Sequence, residues 1–238
     1  YLQNGDRNVC DFLQTKEGEA VIGEEGRNFV ILTSPVKKKP ARLGRKLAKF
    51  HHRGRSVSFD PQSMKRIGRW KVFWEKRLDQ MEKVWSEALM QPPESEFEKL
   101  FIESFPYYMG LAENGIQYLV DTEIDDEPRA SDYGTVCHIR FGNDTWGNGA
   151  YLIKNPFHWV FDHCARDLAD WAREQYFRNI KTYIPGMQAF FRDYTTIAPL
   201  SSFTWRLLYA RLLFPLHYFD CVEEYYMTAS EERKYSLW

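Results

Sequence analysis

Apolar and polar positions change rhythm once along this chain. Over the first 33 residues short apolar runs alternate with turns; beyond residue 40 apolar residues recur every three or four positions. The runs Val9-Cys10-Asp11-Phe12-Leu13, Ala20-Val21-Ile22 and Asn28-Phe29-Val30-Ile31-Leu32 predict strands. Lys16-Glu17-Gly18 and Glu24-Glu25-Gly26 separate them, each placing a glycine where a tight turn needs positive φ. Such an antiparallel sheet is too small to fold alone. Thr33-Ser34-Pro35-Val36-Lys37-Lys38-Lys39-Pro40 then breaks the pattern and reads as a linker.

Helical spacing follows. Leu43, Leu47, Ala48 and Phe50 share one face of a helix that ends before Gly54. Met64, Ile67, Trp70, Trp74, Leu78, Met81, Trp85 and Leu89 predict a long amphipathic helix over 62–90, stopped by Pro92-Pro93, with its tryptophans filling a core. A further helix is predicted over 105–120, leading into an acidic loop from Asp121 to Pro128. Residues 134–163 are glycine-rich and broken, with β-type runs at Thr135-Val136-Cys137 and Trp159-Val160-Phe161. Helices over 165–180, 186–194, 201–213 and 216–228 complete the chain, punctuated by Pro185, Pro199 and Pro215.

With 238 residues, 44% hydrophobic and 27% charged, the chain can bury the core of one large domain, or of one domain plus a fragment of another. Its net charge of −1 argues against a general nucleic-acid binder. No apolar run approaches the roughly 20 residues of a membrane span. The four cysteines lie far apart without metal-like spacing and read as reduced thiols.

Two stretches could carry chemistry. Lys37 to Arg55 holds nine Lys or Arg with His51 and His52 and no acid; it reads as an anion-binding face or as linker plus the solvated side of a helix. His51 and His52 do not suit a shared metal, because neighbours on a helix point about 100° apart. The second is Thr135-Val136-Cys137-His138-Ile139-Arg140-Phe141-Gly142-Asn143-Asp144-Thr145, a strand entering a polar loop, followed by Trp159-Val160-Phe161-Asp162-His163-Cys164-Ala165-Arg166-Asp167-Leu168-Ala169-Asp170. His138 with Asp162 or Asp167 could form an acid–base pair, or His138 could buttress the loop while Asp167 anchors the next helix. Cys137 and His138 are neighbours on a strand, face opposite ways and make no nucleophilic pair.

These segments resemble the choline/aminoglycoside-kinase branch of the protein-kinase-like fold, whose catalytic loop reads roughly H-x-D-x-x-x-x-N, followed by an aspartate metal loop and D-L-A opening a helix. His138 matches the loop histidine and Asp167-Leu168-Ala169 the D-L-A. More narrowly, Gly68-Arg69-Trp70-Lys71, Glu75-Lys76-Arg77-Leu78-Asp79-Gln80-Met81-Glu82, Phe105-Pro106-Tyr107-Tyr108-Met109-Gly110-Leu111, Gly134-Thr135-Val136-Cys137-His138 and Trp159-Val160-Phe161-Asp162-His163 resemble the YutH-type members of the spore coat CotS family.

The resemblance implies an α+β, protein-kinase-like fold. Residues 1–33 would be a remnant of the amino-terminal lobe, 34–40 a hinge and 41–238 the mostly helical carboxyl-terminal lobe. The glycine-rich loop and strand lysine would lie upstream. It also implies a spore coat location after cytoplasmic synthesis, and other coat proteins as partners, with exposed aromatics and the acidic stretch 121–128 as contacts. Against the kinase pattern, Arg140 stands where the catalytic base is an aspartate, and arginine accepts no proton. Thr145 replaces the asparagine that holds a second Mg²⁺. The metal aspartate is either Asp162 or, without a gap, a position near Asn155. The degenerate loop (His138, Arg140, Thr145) points to a pseudokinase without cofactor. Left open are a small-molecule phosphotransferase with a rearranged site, using Mg²⁺-ATP, Asp162 for the metal and Asp144 as base, and an anion sensor built on Arg140.

Overall fold

A computed structural model describes residues 1, 6, 9–33, 42–56, 64–146 and 154–237. The predicted linker 34–40, the first residues of the helix predicted over 62–90 and residues 147–153 of the glycine-rich stretch lie outside them. In chain order come β1 (Asp11–Phe12), β2 (Ile22–Glu24), β3 (Arg27–Phe29), β4 (Leu32–Thr33), α1 (Leu43–Gly54), α2 (Trp70–Ala88) and α3 (Glu96–Asp125). After these follow β5 (Thr135–His138), β6 (Trp159–Asp162), α4 (Ala165–Arg178), α5 (Tyr183–Thr195), α6 (Ser202–Leu213), α7 (Leu216–Met227) and α8 (Glu231–Ser236). This is an α+β chain, mostly helical. It gathers into two compact units, Tyr1–Ile67 with Arg129–Ser201, and Gly68–Pro128 with Ser202–Trp238.

In the first unit the early strands form two antiparallel pairs, β1 with β4 and β2 with β3. Glu25 and Gly26, at φ 50° and 74°, make the β2–β3 turn, the double positive φ of a tight hairpin. β5 pairs antiparallel with β6, Thr135 opposite Asp162 and His138 opposite Trp159. All four β5 residues are buried, so this strand shows no alternation. Helix α1 lies against it at Gly54, where a Cβ would strike Tyr1, Thr135 and Val136. At the other end of α1, Gly44 meets the backbone of α5 at Phe190 and Tyr194.

The second unit holds the aromatic helices. Trp74 stacks on Phe214 at 4.6 Å between ring centroids, Tyr108 on Tyr218 at 3.7 Å and Phe97 on Tyr225 at 4.0 Å. Helix α2 starts at Trp70, not near 62, because Gly68 at φ 71° breaks the backbone just before it. Helix α3 is longer than the predicted 105–120. It is capped by Ser95, whose hydroxyl accepts the Glu98 N–H, and it runs through Pro106. Proline removes the hydrogen-bond donor for the carbonyl four residues back. That carbonyl belongs to Ile102, and the Trp85 indole N–H of α2 donates to it at 3.0 Å. The buried stripe Ala112, Gly115, Leu119, Thr122 carries the helix on to Asp125, so most of the predicted acidic loop is helix. Pro185 lies inside the first turn of α5, where proline is tolerated. No described helix is long and apolar enough to cross a membrane.

Candidate functional site

The β5–β6 pair delivers the predicted site residues to the amino end of α4. Asp167, fully buried in the first turn of that helix, is the hub. Its Oδ1 accepts the backbone N–H of His138 at 2.9 Å; its Oδ2 lies 2.7 Å from His138 Nδ1 and 3.0 Å from His51 Nε2. Burial alone would raise this carboxyl, but His138 and His51 outweigh it and hold Asp167 well below the ordinary range. An ionised carboxylate only accepts, so each imidazole presents an N–H to it. The Trp146 indole, a donor only, reaches His138 Nε2 at 2.8 Å, so that ring carries its hydrogen on Nδ1. His51 Nδ1 meets the Tyr194 hydroxyl at 2.7 Å, and burial pushes the His51 ring below its ordinary value despite Asp167.

Around this hub Phe50 stacks on His138 at 4.9 Å, and Lys154 Nζ lies 4.5 Å from the Trp146 ring centroid. Lys154 is itself buried and donates to Asp6 Oδ2 at 2.6 Å, with Arg53 3.2 Å from the same oxygen. Burial lowers the Lys154 ammonium against the pull of Asp6.

The remaining predicted residues have other engagements. Arg140 is exposed on the loop after β5. Thr145 Oγ1 accepts the Gly142 N–H at 2.7 Å and faces the Arg140 carbonyl at 3.3 Å, closing that loop. Asp144 is tied to Arg178 at 2.8 Å on the surface. Asn155 spends its side-chain oxygen on the Phe157 N–H at 3.0 Å. Asp162 does not meet His138, which lies at the opposite end of the β5–β6 pairing. Its side chain is fully buried, with Oδ1 accepting the His163 N–H at 2.7 Å and Oδ2 accepting Arg166 Nε at 2.6 Å.

A Mg²⁺ ion, which a kinase-like fold implies, does not fit these residues. Both Asp162 oxygens are taken, one by a guanidinium, and Thr145 and Asn155 are turned to the backbone. Among the described residues three potential ligand atoms do converge within 4.8 Å, on His51, Cys137 and Asp167. Their hydrogens are already placed: His51 bonds Asp167, and the Cys137 thiol, pushed up by burial, donates to the carbonyls of Asp162 and His163. This is a closed hydrogen-bond network. His51, Tyr194, Trp146, Arg166 and Lys154 were not singled out from sequence as members of it. One signal existed: His51 lies four residues after the buried Leu47, on the apolar face of α1.

The chain has the fold of the aminoglycoside phosphotransferases. A member from Alicyclobacillus acidocaldarius subsp. acidocaldarius DSM 446 matches with a TM-score of 0.70 and 17% identity over 99% of this chain and 73% of its own. Spectinomycin phosphotransferase APH(9)-Ia, solved with ADP and spectinomycin, matches at 0.61 and 11% identity, over 99% of this chain and 72% of that one. The chain belongs to the family described as spore coat putative kinase YutH, whose model matches residues 1–237. Endospore coat-associated protein YutH of Bacillus subtilis (strain 168) is 46% identical over 238 residues, covering 99% of this chain and 70% of that protein.

Proposed function

We propose that this chain is a non-catalytic, kinase-fold component of the spore coat that acts in coat assembly or structure through contacts with other coat proteins. The observation that carries the non-catalytic half is Arg140 in place of a base, beside an Asp162 held by Arg166. Phosphoryl transfer depends on positioning and charge stabilisation, and loss of both the base and a metal ligand removes most of it. The coat half is supported by membership of the family and by the 46% identical coat-associated relative. On this reading residues 1–33 close an amino-terminal lobe, 34–40 form the hinge and 41–238 the helical lobe. Exposed apolar side chains such as Tyr107, Tyr133 and Ile124 at the end of α3 are suited to protein contacts.

The test is calorimetric titration of the full-length gene product with Mg²⁺-ATP beside an Arg140→Asp variant, together with a fluorescent fusion followed through sporulation. The expected result is no nucleotide binding up to millimolar concentration in either protein, with the fusion at the spore surface. Tight Mg²⁺-dependent binding with phosphate transfer to a small molecule would replace this reading with that of a phosphotransferase. A fusion that stays away from the spore would remove the coat role.

A further inference from the structure

We infer that Arg166 is a built-in cation that stands at Asp162 in place of a divalent metal ion and joins the strand, loop and helix of the site permanently. Asp162 ends β6, Arg166 is the second residue of α4, and Ile139 opens the loop after β5. From α4 the guanidinium reaches the other two at once: Nε donates to Asp162 Oδ2 at 2.6 Å and Nη1 donates to the Ile139 carbonyl at 3.1 Å. The Arg166 side chain is 12% exposed and the Asp162 side chain 0%, so the pair is shielded from water and salt. Burial alone would lower the guanidinium, yet the charge and hydrogen bond of Asp162 hold it above its ordinary value.

An ordinary i,i+4 pair lies along the solvated face of one helix and contributes little. This one differs in two respects: its acid lies on a strand before the helix, and its base also binds a carbonyl of a third segment. Neutralising a buried carboxylate while drawing a backbone carbonyl toward it is the work that a hard divalent cation does with oxygen ligands. Arginine does it with planar, directional donors and is never deprotonated. The place is therefore filled at all times and in every cation concentration. The inference goes beyond the coat role proposed above and does not depend on it.

The probe is Mn²⁺, followed by the electron paramagnetic resonance of the free ion and by thermal melting of wild type, Arg166→Gln, Asp162→Asn and the double variant. Wild type should bind no Mn²⁺ at millimolar concentration and melt identically with and without it. Arg166→Gln, with its buried carboxylate uncompensated, should lose roughly 6–20 °C in Tm in metal-free buffer and recover part of that with Mn²⁺. The double variant, lacking both charges, should melt nearer to wild type and ignore Mn²⁺. Mn²⁺ binding by wild type that Asp162→Asn abolishes would overturn the inference, as would an Arg166→Gln protein with unchanged Tm. Should Arg166→Gln not fold, a folded double variant supports charge neutralisation and an unfolded one overturns it. Mn²⁺ bound at Asp162 of wild type without phosphate transfer would end this inference and leave the non-catalytic reading standing.

Discussion

Replacing Asp167 by Asn keeps the side-chain volume and removes one acceptor and one charge, which makes it a clean probe of the hub. In the native site one oxygen receives two imidazole N–H groups and the other receives the His138 backbone N–H. Asparagine has a single oxygen, so its amide hydrogens must face at least one of those donors. His138 cannot turn its ring hydrogen away, because the Trp146 indole already donates to Nε2. A donor then faces a donor where the side chain is 0% exposed, and the charge that strengthened three hydrogen bonds is gone. An unsatisfied buried group costs about 1–3 kcal/mol, and breaking a buried charged network about 3–5 kcal/mol. For a chain of this length that lowers Tm by roughly 6–20 °C. Urea and thermal unfolding followed by circular dichroism measure it. The Trp146→Phe variant should cost about 1–3 kcal/mol alone. The double variant should cost less than the sum by about 1–2 kcal/mol, since without the indole His138 can move its hydrogen to Nε2 and accept from the amide. A loss below about 1 kcal/mol for Asp167→Asn, or strict additivity with Trp146→Phe, would refute the assigned tautomer and the hub.

Three further outcomes follow from the geometry. Trp85→Phe strips the Ile102 carbonyl of its donor and should cost about 1–3 kcal/mol, and adding Pro106→Ala should restore most of it by returning a helical N–H; a Pro106→Ala background that leaves the Trp85→Phe loss unchanged would contradict this account of α3. Gly44→Ala drives a Cβ into the Phe190 carbonyl of α5 and should destabilise by about 1–3 kcal/mol in denaturant melts, whereas helix propensity alone would make alanine stabilising. His163 is lowered from 6.5 to about 4 by burial, so the unfolded chain binds a proton that the folded chain refuses; stability should fall by about 3 kcal/mol as pH drops from 6.5 to 4. His51, also lowered, acts in the same direction, while the depressed Asp167 adds its own loss only as pH falls below about 4; His163→Gln should flatten the decline in the upper window, and an unchanged pH profile would contradict the burial argument.

Periodicity exposed most of the fold because the elements obey it. The Trp and Leu spacing of α2 and the glycine of the β2–β3 turn are local signals with local consequences. Helix α3 shows where local reading stops. The spacing predicted it over 105–120, whereas it starts at the Ser95 cap and runs through Pro106; what lets it continue there is an indole on another helix, which no local pattern contains. The site has the same character. His138, Asp162 and Asp167 were visible as residue types in a motif, but His51 reaches Asp167 across 116 residues and Tyr194 across 143, and the Trp146 indole closes on His138.

Arg166 was hidden for a different reason. Four residues after an aspartate, on a helix start, it has the spacing of a commonplace surface pair, and only burial and the contact with Ile139 separate it from one. On the non-catalytic reading proposed above, Arg140 stands where a base would take a proton, and Arg166 holds the carboxylate that would bind a metal. Changing Arg140 to Asp then supplies the base and leaves Asp162 held. The Arg140→Asp variant should gain no phosphate transfer from ATP, because Asp162 keeps its guanidinium whatever stands at position 140. Transfer activity regained by that single change, measured with radiolabelled ATP, would mean that Arg166 yields its place to a metal ion when nucleotide arrives.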